Sequence, residues 1–327
     1  MHYRAFGSEN LSISEMGLGT WQLGADWGEV TDLDAQAILE TAVENGINFF
    51  DTADVYGKGR SESLINKYLK PISEEIIIAT KLGRFPEPGN ENNFTLEIFR
   101  KHTEASLRRL GLGCLDLTQL HCIPTELMKS GEAFDWLRIL QKEGKIKRFG
   151  ASVESMDEAL ICLEQDGLFS LQIIFNIFRQ KPIEDLFKKA KEKKVALIVR
   201  LPLASGLLSG KIHVNREFPE NDHRNYNRDG QCFNVGETFA GLPFEKGVEF
   251  AKELEQFVPD DISMAQMALR WILDFDAVTV VIPGGKNPSQ VKANSVVSNV
   301  SSLTESLHKN LSDFYQNEVK TYIRGKY

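Results

Sequence analysis

Short apolar runs alternate with segments of helical periodicity along most of the chain. The runs are rich in β-branched and aromatic residues and almost unbroken, which is typical of strands buried on both faces of a parallel sheet. The pattern predicts eight strands, at residues 15–19, 47–51, 76–80, 114–120, 147–151, 171–175, 195–200 and 278–282.

Helical patterns lie between these runs. In one of them, apolar residues recur at Leu33, Ala37, Ile38 and Ala42, so one side of a helix is apolar. We predict helices at 33–45, 61–69, 95–110, 132–143, 155–165, 183–194, 245–257, 263–273 and 288–298.

Strands that alternate with helices imply right-handed crossovers and a parallel sheet. Eight such units are the number that closes a barrel, so we predict an α/β fold: one eight-stranded parallel (β/α)8 TIM barrel domain over residues 1–327. An open doubly wound sheet would need fewer strands or a break in the alternation.

One irregularity is the long polar stretch 204–243, after the seventh predicted strand. Loops of this length are uncommon in compact domains and often act as functional lids, although a tolerated insertion is the plain alternative.

Composition narrows the class of protein. Apolar content of 42% and charged content of 26% are ordinary for a globular protein, and a net charge of −8 argues against general nucleic-acid binding. We see no apolar core of a signal peptide and no uncharged run of about 18 residues, so no membrane span is expected. The cysteines are scattered without CxxC spacing, so we expect no metal site and a cytoplasmic location. We also expect a monomer or small homo-oligomer.

Polar side chains stand where predicted strands end. Asp51 ends the second strand, Lys81 the third and His121 the fourth, and Tyr56 follows Asp51 closely. In a barrel of this kind the C-terminal ends of the strands hold the chemistry. Each residue alone also fits a structural role: Asp51 as a helix cap, Lys81 as a solvated charge, His121 as a satisfied core imidazole. Together they predict an active site.

The four side chains suit general acid catalysis at a carbonyl group. A phenol has a pKa of about 10, and a nearby ammonium lowers it. Lys81 can supply that charge, Asp51 can hold Lys81, and His121 can donate a hydrogen bond to a carbonyl oxygen. Cys122 adjoins His121, but neighbours on a strand point to opposite faces, so this is a poor nucleophile pair.

Reduction of a carbonyl needs a source of hydride, and the sequence has neither a GxGxxG fingerprint nor a Walker A motif. Two glycine- and lysine-containing turns, "SGLLSGKI" and "IPGGKNP", follow the seventh and eighth strands, where such barrels bind phosphates. Backbone N–H groups around Ser205, Gly206 and Leu207 could hold a pyrophosphate that Lys211 or Lys286 neutralises. Ordinary turn glycines are an equally good explanation on this evidence.

At this point the sequence resembles the aldo-keto reductases, over nearly the whole chain. The segments "FFDTADVYGKGRSE", "ATK", "DLTQLH", "LPLASGLLSGK" and "VIPGGKNPSQVKAN" match family motifs in the right order. The likeness is greater to the bacterial, broad-substrate branches. It implies an NADP(H)-dependent enzyme, with NAD(H) as the alternative cofactor, that reduces an aldehyde or ketone to an alcohol.

The resemblance also implies residue roles. Tyr56 is the proton donor, Lys81 lowers its pKa, Asp51 pairs with the lysine, and His121 orients the carbonyl group of a small-molecule substrate. The implied cofactor contacts are Thr20, Trp21, Asp51, Ser152, Gln172, Asn176, Arg200, Leu203, Ser205, Gly206, Leu207, Lys211, Gly284, Lys286, Gln290 and Asn294.

Three positions depart from the family pattern. Val153 replaces an asparagine and removes one amide contact, and Gln290 replaces an arginine familiar as a clamp for the 2′-phosphate. Arg200 stands where an aromatic ring commonly stacks on the nicotinamide. Its charge would favour the neutral, reduced ring over the cationic, oxidised one.

We expect the substrate pocket to be walled by Trp21, Trp27, Phe85, Ile123 and the loop near 213–240, beside Tyr56 and His121. Arg224 and Arg228 could meet an anionic substrate if the loop closes inward, or remain solvated loop charges.

Two other classes compete with the reductase. A regulatory subunit like the potassium-channel β subunits shares the fold and can keep the four residues with little turnover. A metal-dependent barrel hydrolase is weaker, because the histidines show no paired motif at a strand end.

Overall fold

The computed structural model describes residues 1–9, 11–24, 27–69 and 75–327. The strands within them are β1 (Tyr3–Ala5), β2 (Ser12–Ser14), β3 (Leu18–Gly19), β4 (Phe49–Asp51), β5 (Ile77–Leu82), β6 (Leu117–His121), β7 (Phe149–Ser152), β8 (Leu168–Ile174), β9 (Ala196–Arg200) and β10 (Val278–Val281).

The strands β3 to β10 pair in sequence order as one parallel sheet within the described part of the chain. A parallel bridge between Met16 and Val281 joins the last strand to the segment before the first, and the amide N–H of Gly17 donates to Val281 O at 2.8 Å. The sheet therefore closes, which confirms the predicted (β/α)8 TIM barrel. Each of the eight predicted strands overlaps one of these barrel strands.

Helices connect the strands along the outside of the barrel. Each predicted helix has a counterpart, except that 183–194 forms two short helices separated at Leu186. The α-helices are α1 (Asp32–Glu44), α2 (Arg60–Leu69), α3 (Leu96–Leu110), α4 (Thr125–Ser130), α5 (Glu132–Lys142), α6 (Met156–Leu163), α7 (Pro182–Asp185), α8 (Phe187–Glu192), α9 (His223–Tyr226), α10 (Phe244–Leu254), α11 (Met264–Leu273), α12 (Pro288–Ser295) and α13 (Glu305–Phe314).

An N-terminal hairpin, which the apolar pattern did not predict, lies outside the parallel sheet. Here β1 pairs antiparallel with β2. Phe6 follows β1, is fully buried, and packs edge-on against Phe49 and Phe169, with ring centroids 5.5 and 4.8 Å away. Because Phe49 and Phe169 belong to β4 and β8 and share one core cluster with side chains of β5, β6, β9 and β10, the hairpin closes one end of the barrel interior.

The long segment 204–243 is compact rather than extended. It contains α9 and three 3₁₀ turns at Ala204–Ser209, Val235–Glu237 and Phe239–Gly241. Phe218 and Phe239 are buried within it. Among the described helices, none combines the length and apolar character needed to cross a membrane.

Candidate active site

Three predicted residues meet at the C-terminal ends of neighbouring strands. Asp51 ends β4 and Lys81 lies near the end of β5, where parallel pairing brings the two strands together. The Nζ atom of Lys81 lies 2.5 Å from Oδ1 of Asp51, 2.8 Å from the backbone oxygen of Thr52 and 3.2 Å from the hydroxyl of Tyr56. The ammonium thus connects a carboxylate to a phenol, and both charged side chains are buried.

The second carboxylate oxygen of Asp51 is held by two amides. Gln119 and Gln172 donate to Oδ2 at 3.3 and 2.7 Å, and Ser152 donates to the amide oxygen of Gln172 at 3.3 Å. Gln172 therefore already binds Asp51, a role that the sequence analysis did not predict. These donors fix the carboxylate, and with it the position of Lys81.

Tyr56 is placed by a turn that follows β4. Its amide N–H donates to Ala53 O at 3.2 Å, and the turn packs directly on Gly24. A Cβ atom at Gly24 would lie 2.6 Å from the carbonyl carbon of Tyr56 and 2.7 Å from the amide nitrogen of Gly57. Only glycine leaves room for this backbone contact, so Gly24 sets where the phenol can sit.

Burial and charge act in opposite directions on the phenol. Burial raises the pKa of Tyr56 above its ordinary value and outweighs the Lys81 ammonium, which lowers it. Burial lowers the pKa of Lys81, but the Asp51 carboxylate and the Tyr56 hydroxyl together outweigh it, so the pKa of Lys81 is raised. Lys81 therefore stays an ammonium. The net pKa shift of Tyr56 is opposite to the lowering that the sequence analysis predicts.

His121 lies beside Tyr56 at the end of β6. The two rings meet edge to face with centroids 6.0 Å apart. Burial, helped by the nearby charges of Arg84, Lys81 and Arg200, holds the pKa of His121 well below its usual range. A neutral imidazole can donate one hydrogen bond without carrying a charge, which suits the orientation of a carbonyl oxygen.

A cavity of about 1540 Å³ opens over these residues. Five predicted site residues are not among its lining residues: Lys81, Ser152, Asn176, Leu207 and Ile123. Lys81 lies behind Tyr56, Asn176 is buried and donates to Leu201 O at 3.0 Å, and Ile123 packs in the core. The predicted site residues that do line it are Thr20, Trp21, Trp27, Asp51, Tyr56, Phe85, His121, Gln172, Arg200, Leu203, Ser205, Gly206, Lys211, Gly284, Lys286, Gln290 and Asn294.

The glycine-containing turn after β9 bends sharply along one wall of this cavity. Ser205 and Gly206 have φ values of 55° and 100°, and a residue with a side chain rarely adopts the second. The hydroxyl of Ser205 accepts from the amide N–H of Phe239 at 3.0 Å, so it holds the long loop. Lys211 is exposed at the cavity rim.

The far end of the cavity is built by the turn after β10 and the start of α12. Asn287 caps α12, and Gln290 accepts from the amide N–H of Lys286 at 2.8 Å. The ammonium of Lys286 donates to the backbone oxygen of Trp27, and burial, followed by the charge of Arg224, lowers its pKa. A lysine short of anionic partners at this position is suited to a phosphate.

Aromatic rings cover the other side of Tyr56. Trp21 stacks on Tyr56 with centroids 6.0 Å apart and meets Trp27 edge-on at 5.5 Å. His223 of the long loop packs against both indoles, at 4.6 and 4.3 Å. Arg224 lies 4.8 Å from the ring of Trp27 and is paired with the buried Asp222 at 2.6 Å. The charge of Arg224 is therefore neutralised rather than free for an anion.

Arg200 was predicted as a cofactor contact, but sequence reasoning missed the three charged residues grouped with it. We call the four the charged wall: Arg84, Glu154, Arg200 and Glu237. Nη2 of Arg84 lies 2.8 Å from Glu154 and 3.0 Å from Glu237, and Arg200 lies 3.3 Å from Glu237. Both guanidiniums oppose the effect of burial on Glu237 and lower its pKa to about 2. The pKa of Glu154 is raised, by burial and by Glu237.

The direction of the Cys122 side chain differs from the prediction. It was expected on the face opposite His121, but both side chains line the cavity, because Cys122 follows the strand with a φ of 49°. Burial raises the pKa of this thiol to about 11. Although its sulfur lies within 4.8 Å of carboxylate oxygens of Glu154 and Glu237, Arg84 and Arg200 already neutralise those two groups, which leaves a cation little to bind.

Comparison with known proteins agrees with this geometry. The sequence profile of the aldo/keto reductase family matches residues 15–316. An uncharacterised oxidoreductase of Bacillus subtilis, YqkF, is 28% identical over 98% of both chains. The NADH-specific methylglyoxal reductase of Escherichia coli is 28% identical over 90% of this chain and 92% of its own. The structure of the glycerol dehydrogenase AKR11B4 from Gluconobacter oxydans superposes with a TM-score of 0.79, at 28% identity, over 99% of this chain and 98% of that one.

The protein belongs to the aldo/keto reductase family. It is an oxidoreductase of the kind that uses a nicotinamide cofactor and acts on small-molecule carbonyl compounds. These relatives do not favour the regulatory-subunit alternative, since they carry oxidoreductase, reductase and dehydrogenase names.

The residues fit such a cofactor. The cavity runs from Tyr56 past the bent backbone at Gly206 to Lys286, and Lys211 adds positive charge along this path. Backbone turns and cations along one wall suit a pyrophosphate.

Proposed function

We propose that this protein is an NADP(H)-dependent reductase that converts an aldehyde or ketone to an alcohol. The contact of 3.2 Å between Lys81 Nζ and the Tyr56 hydroxyl supports this proposal most strongly. It places a protonated phenol, with a cation behind it, at the wall of a cavity that His121 also lines.

In this proposal Tyr56 transfers its proton to the carbonyl oxygen. As the phenol becomes a phenolate, the ammonium of Lys81 stabilises the new charge, and Asp51 keeps that ammonium in place. Neutral His121 orients the same oxygen by a hydrogen bond. The bound nicotinamide supplies the hydride for the carbonyl carbon. Trp21 and Trp27 exclude water from one side of the phenol.

Several side chains would hold the cofactor. Thr20, Gln172 and Arg200 line the part of the cavity where the nicotinamide would bind, and the backbone at 203–206 would hold the pyrophosphate. Lys286, Gln290 and Asn294 would surround the adenosine. Lys286 is the basis for proposing NADP(H), because its ammonium could pair with the 2′-phosphate. The E. coli relative, named as NADH-specific, makes NAD(H) the alternative.

We propose that the chain works as a single barrel domain in the cytoplasm. The free state of Cys114, Cys122, Cys162 and Cys232 matches a reducing compartment.

A cofactor-consumption assay tests the proposal. The purified protein is mixed with NADPH or NADH and a panel of aldehydes, ketones and hydroxylated aldehydes, and loss of reduced cofactor is followed by absorbance. We expect substrate-dependent consumption, faster with NADPH. Tight cofactor binding without turnover on any carbonyl compound would instead favour the regulatory-subunit alternative.

A further inference from the structure

The charged wall belongs to the same cavity as the proposed nicotinamide position. Arg84 follows β5, Glu154 follows β7, Arg200 ends β9 and Glu237 comes from the long loop. All four line the cavity that contains Tyr56 and His121. Arg200 also reaches Cys122 Sγ at 3.5 Å, next to His121, so the wall adjoins the reaction centre.

Whereas the unpaired Nε of Arg200 is buried, Arg84 is the more exposed of the two guanidiniums and has unused donors that a ligand could reach. Among the described residues, its hydrogen bonds to Glu154 and Glu237 both pass through Nη2. The side chain is 26% exposed, and the N–H groups on Nε and Nη1 donate to no protein acceptor among those residues. A guanidinium presents these donors in a fixed plane.

The net charge of the wall decides which ligand suits it. Two guanidiniums and two carboxyl groups alternate, so an anionic substrate would gain little Coulomb attraction and would meet Glu154 at the same surface. An alkyl or aryl aldehyde would cover the unused N–H groups without replacing their bonds to water, which is costly. Hydroxyl groups both donate and accept, so they can pair with Arg84 and Glu154 together.

We propose that the charged wall selects uncharged, hydroxylated carbonyl substrates, with Arg84 as the residue that determines this specificity. The inference rests on the proposed reduction and adds the chemical class of its substrate. Sites built to hydrogen-bond a substrate hydroxyl reject the analogue that lacks it far more strongly than apolar pockets reject an added hydroxyl.

A matched pair of substrates tests the proposal. We expect the wild-type protein to have a kcat/KM for glyceraldehyde about 100-fold above that for propionaldehyde, which has the same carbon chain without hydroxyls. In Arg84→Met this ratio should fall by about tenfold or more, with propionaldehyde reduction retained. Arg216→Met is the control, because it removes an exposed cation from the same cavity without touching the wall. It should leave the ratio unchanged.

Other outcomes overturn the proposal. If the ratio of kcat/KM for glyceraldehyde to that for propionaldehyde is near one in the wild type, or is unchanged in Arg84→Met, Arg84 does not determine this specificity. A larger loss in Arg84→Met with succinic semialdehyde than with glyceraldehyde would assign an anionic substrate instead. If Arg84→Met does not fold, Arg84→Lys keeps a cation beside Glu154 but lacks the planar donor edge, and the ratio should still fall.

The test is separable from the proposed function. Calorimetric titration of glycerol and 1-propanol into protein loaded with NADP⁺ needs no turnover. Tighter binding of glycerol, weakened in Arg84→Met, supports the wall even if no carbonyl compound is reduced. Equal binding of both alcohols contradicts it.

Discussion

The ammonium of Lys81 lies 3.2 Å from the phenol of Tyr56 and 2.5 Å from the carboxylate of Asp51, inside a site that buries both charges. These two contacts of Lys81 connect the pairing of the barrel strands to the proposed proton transfer. Parallel pairing of β4 with β5 brings Asp51 and Lys81 together, and the turn after β4 returns Tyr56 over them.

Replacing Lys81 by methionine should destabilise the protein as well as inactivate it. The substitution leaves Asp51 buried without its cation, which costs about 3–5 kcal/mol in the free energy of unfolding. The double variant Asp51→Asn with Lys81→Met should recover much of that loss, because no buried charge remains. Urea unfolding of the variants measures both values.

The exposed pair Lys309–Asp313 is the control for this comparison. Lys309→Met should cost about 0–1 kcal/mol, as surface ion pairs do. Equal losses in the free energy of unfolding for Lys81→Met and Lys309→Met would show that burial of the Lys81–Asp51 pair does not make its disruption more costly.

The pH dependence follows from two pKa shifts in opposite directions. The pKa of His121 is lowered, so the imidazole remains neutral through the mildly acidic range, and the pKa of Tyr56 is raised, so the phenol keeps its proton at neutral pH. We expect kcat/KM for reduction to be flat between about pH 6 and 9 and to fall above about pH 10, as the proton donor is lost. An acidic limb near the ordinary pKa of histidine that disappears in His121→Asn would contradict this.

The ion pair between Arg200 and Glu237 modifies the expected preference for reduced cofactor. The Glu237 carboxylate lies 3.3 Å from the Arg200 guanidinium and offsets its charge. The wild type should therefore prefer reduced over oxidised cofactor only slightly. Glu237→Gln exposes the charge of Arg200 to the nicotinamide and should raise the affinity ratio of reduced to oxidised cofactor by about threefold to tenfold. Arg200→Leu should lower the ratio. Fluorescence titration with both forms measures it.

Glu220→Gln is the matched control, since Glu220 is an exposed carboxylate on the same loop and does not line the cavity. Its ratio should equal that of the wild type. If all three variants had the same affinity ratio of reduced to oxidised cofactor, Arg200 would not lie next to the nicotinamide ring.

Discrimination between NADP(H) and NAD(H) should depend on Lys286. Lys286→Met should weaken NADPH binding by about tenfold or more, the worth of one charge-assisted hydrogen bond, and leave NADH binding nearly unchanged. Lys292→Met removes an exposed charge from α12 as a control and should affect neither cofactor. Parallel losses for both cofactors would place Lys286 away from the 2′-phosphate.

Most of the barrel strands were predictable because they are short, buried, nearly unbroken apolar runs, although β6 (LTQLH) carries polar residues. Asp51, Lys81 and His121 were predictable because strand ends share one edge of a closed parallel sheet. The N-terminal hairpin was missed, since β1 and β2 are only three residues long, too short for their alternation to indicate a strand.

The charged wall could not be derived in the same way. Arg84 and Glu237 are 153 residues apart, and Glu237 lies in a loop without periodicity, where pairing depends on how the loop folds. The position of Arg84 just beyond the end of β5 was the available signal. The net rise in the pKa of Tyr56 was also missed, because burial depends on the side chains that surround the phenol in three dimensions.

The most direct measurement is the turnover of Tyr56→Phe with NADPH and glyceraldehyde, together with its affinity for NADPH. Tyr226→Phe, which removes a hydroxyl from another part of the cavity lining, is the control and should retain turnover. We expect Tyr56→Phe to bind NADPH as the wild type does but to turn over about 100- to 10,000-fold more slowly, because the proton donor is gone. Wild-type turnover by Tyr56→Phe would contradict this expectation.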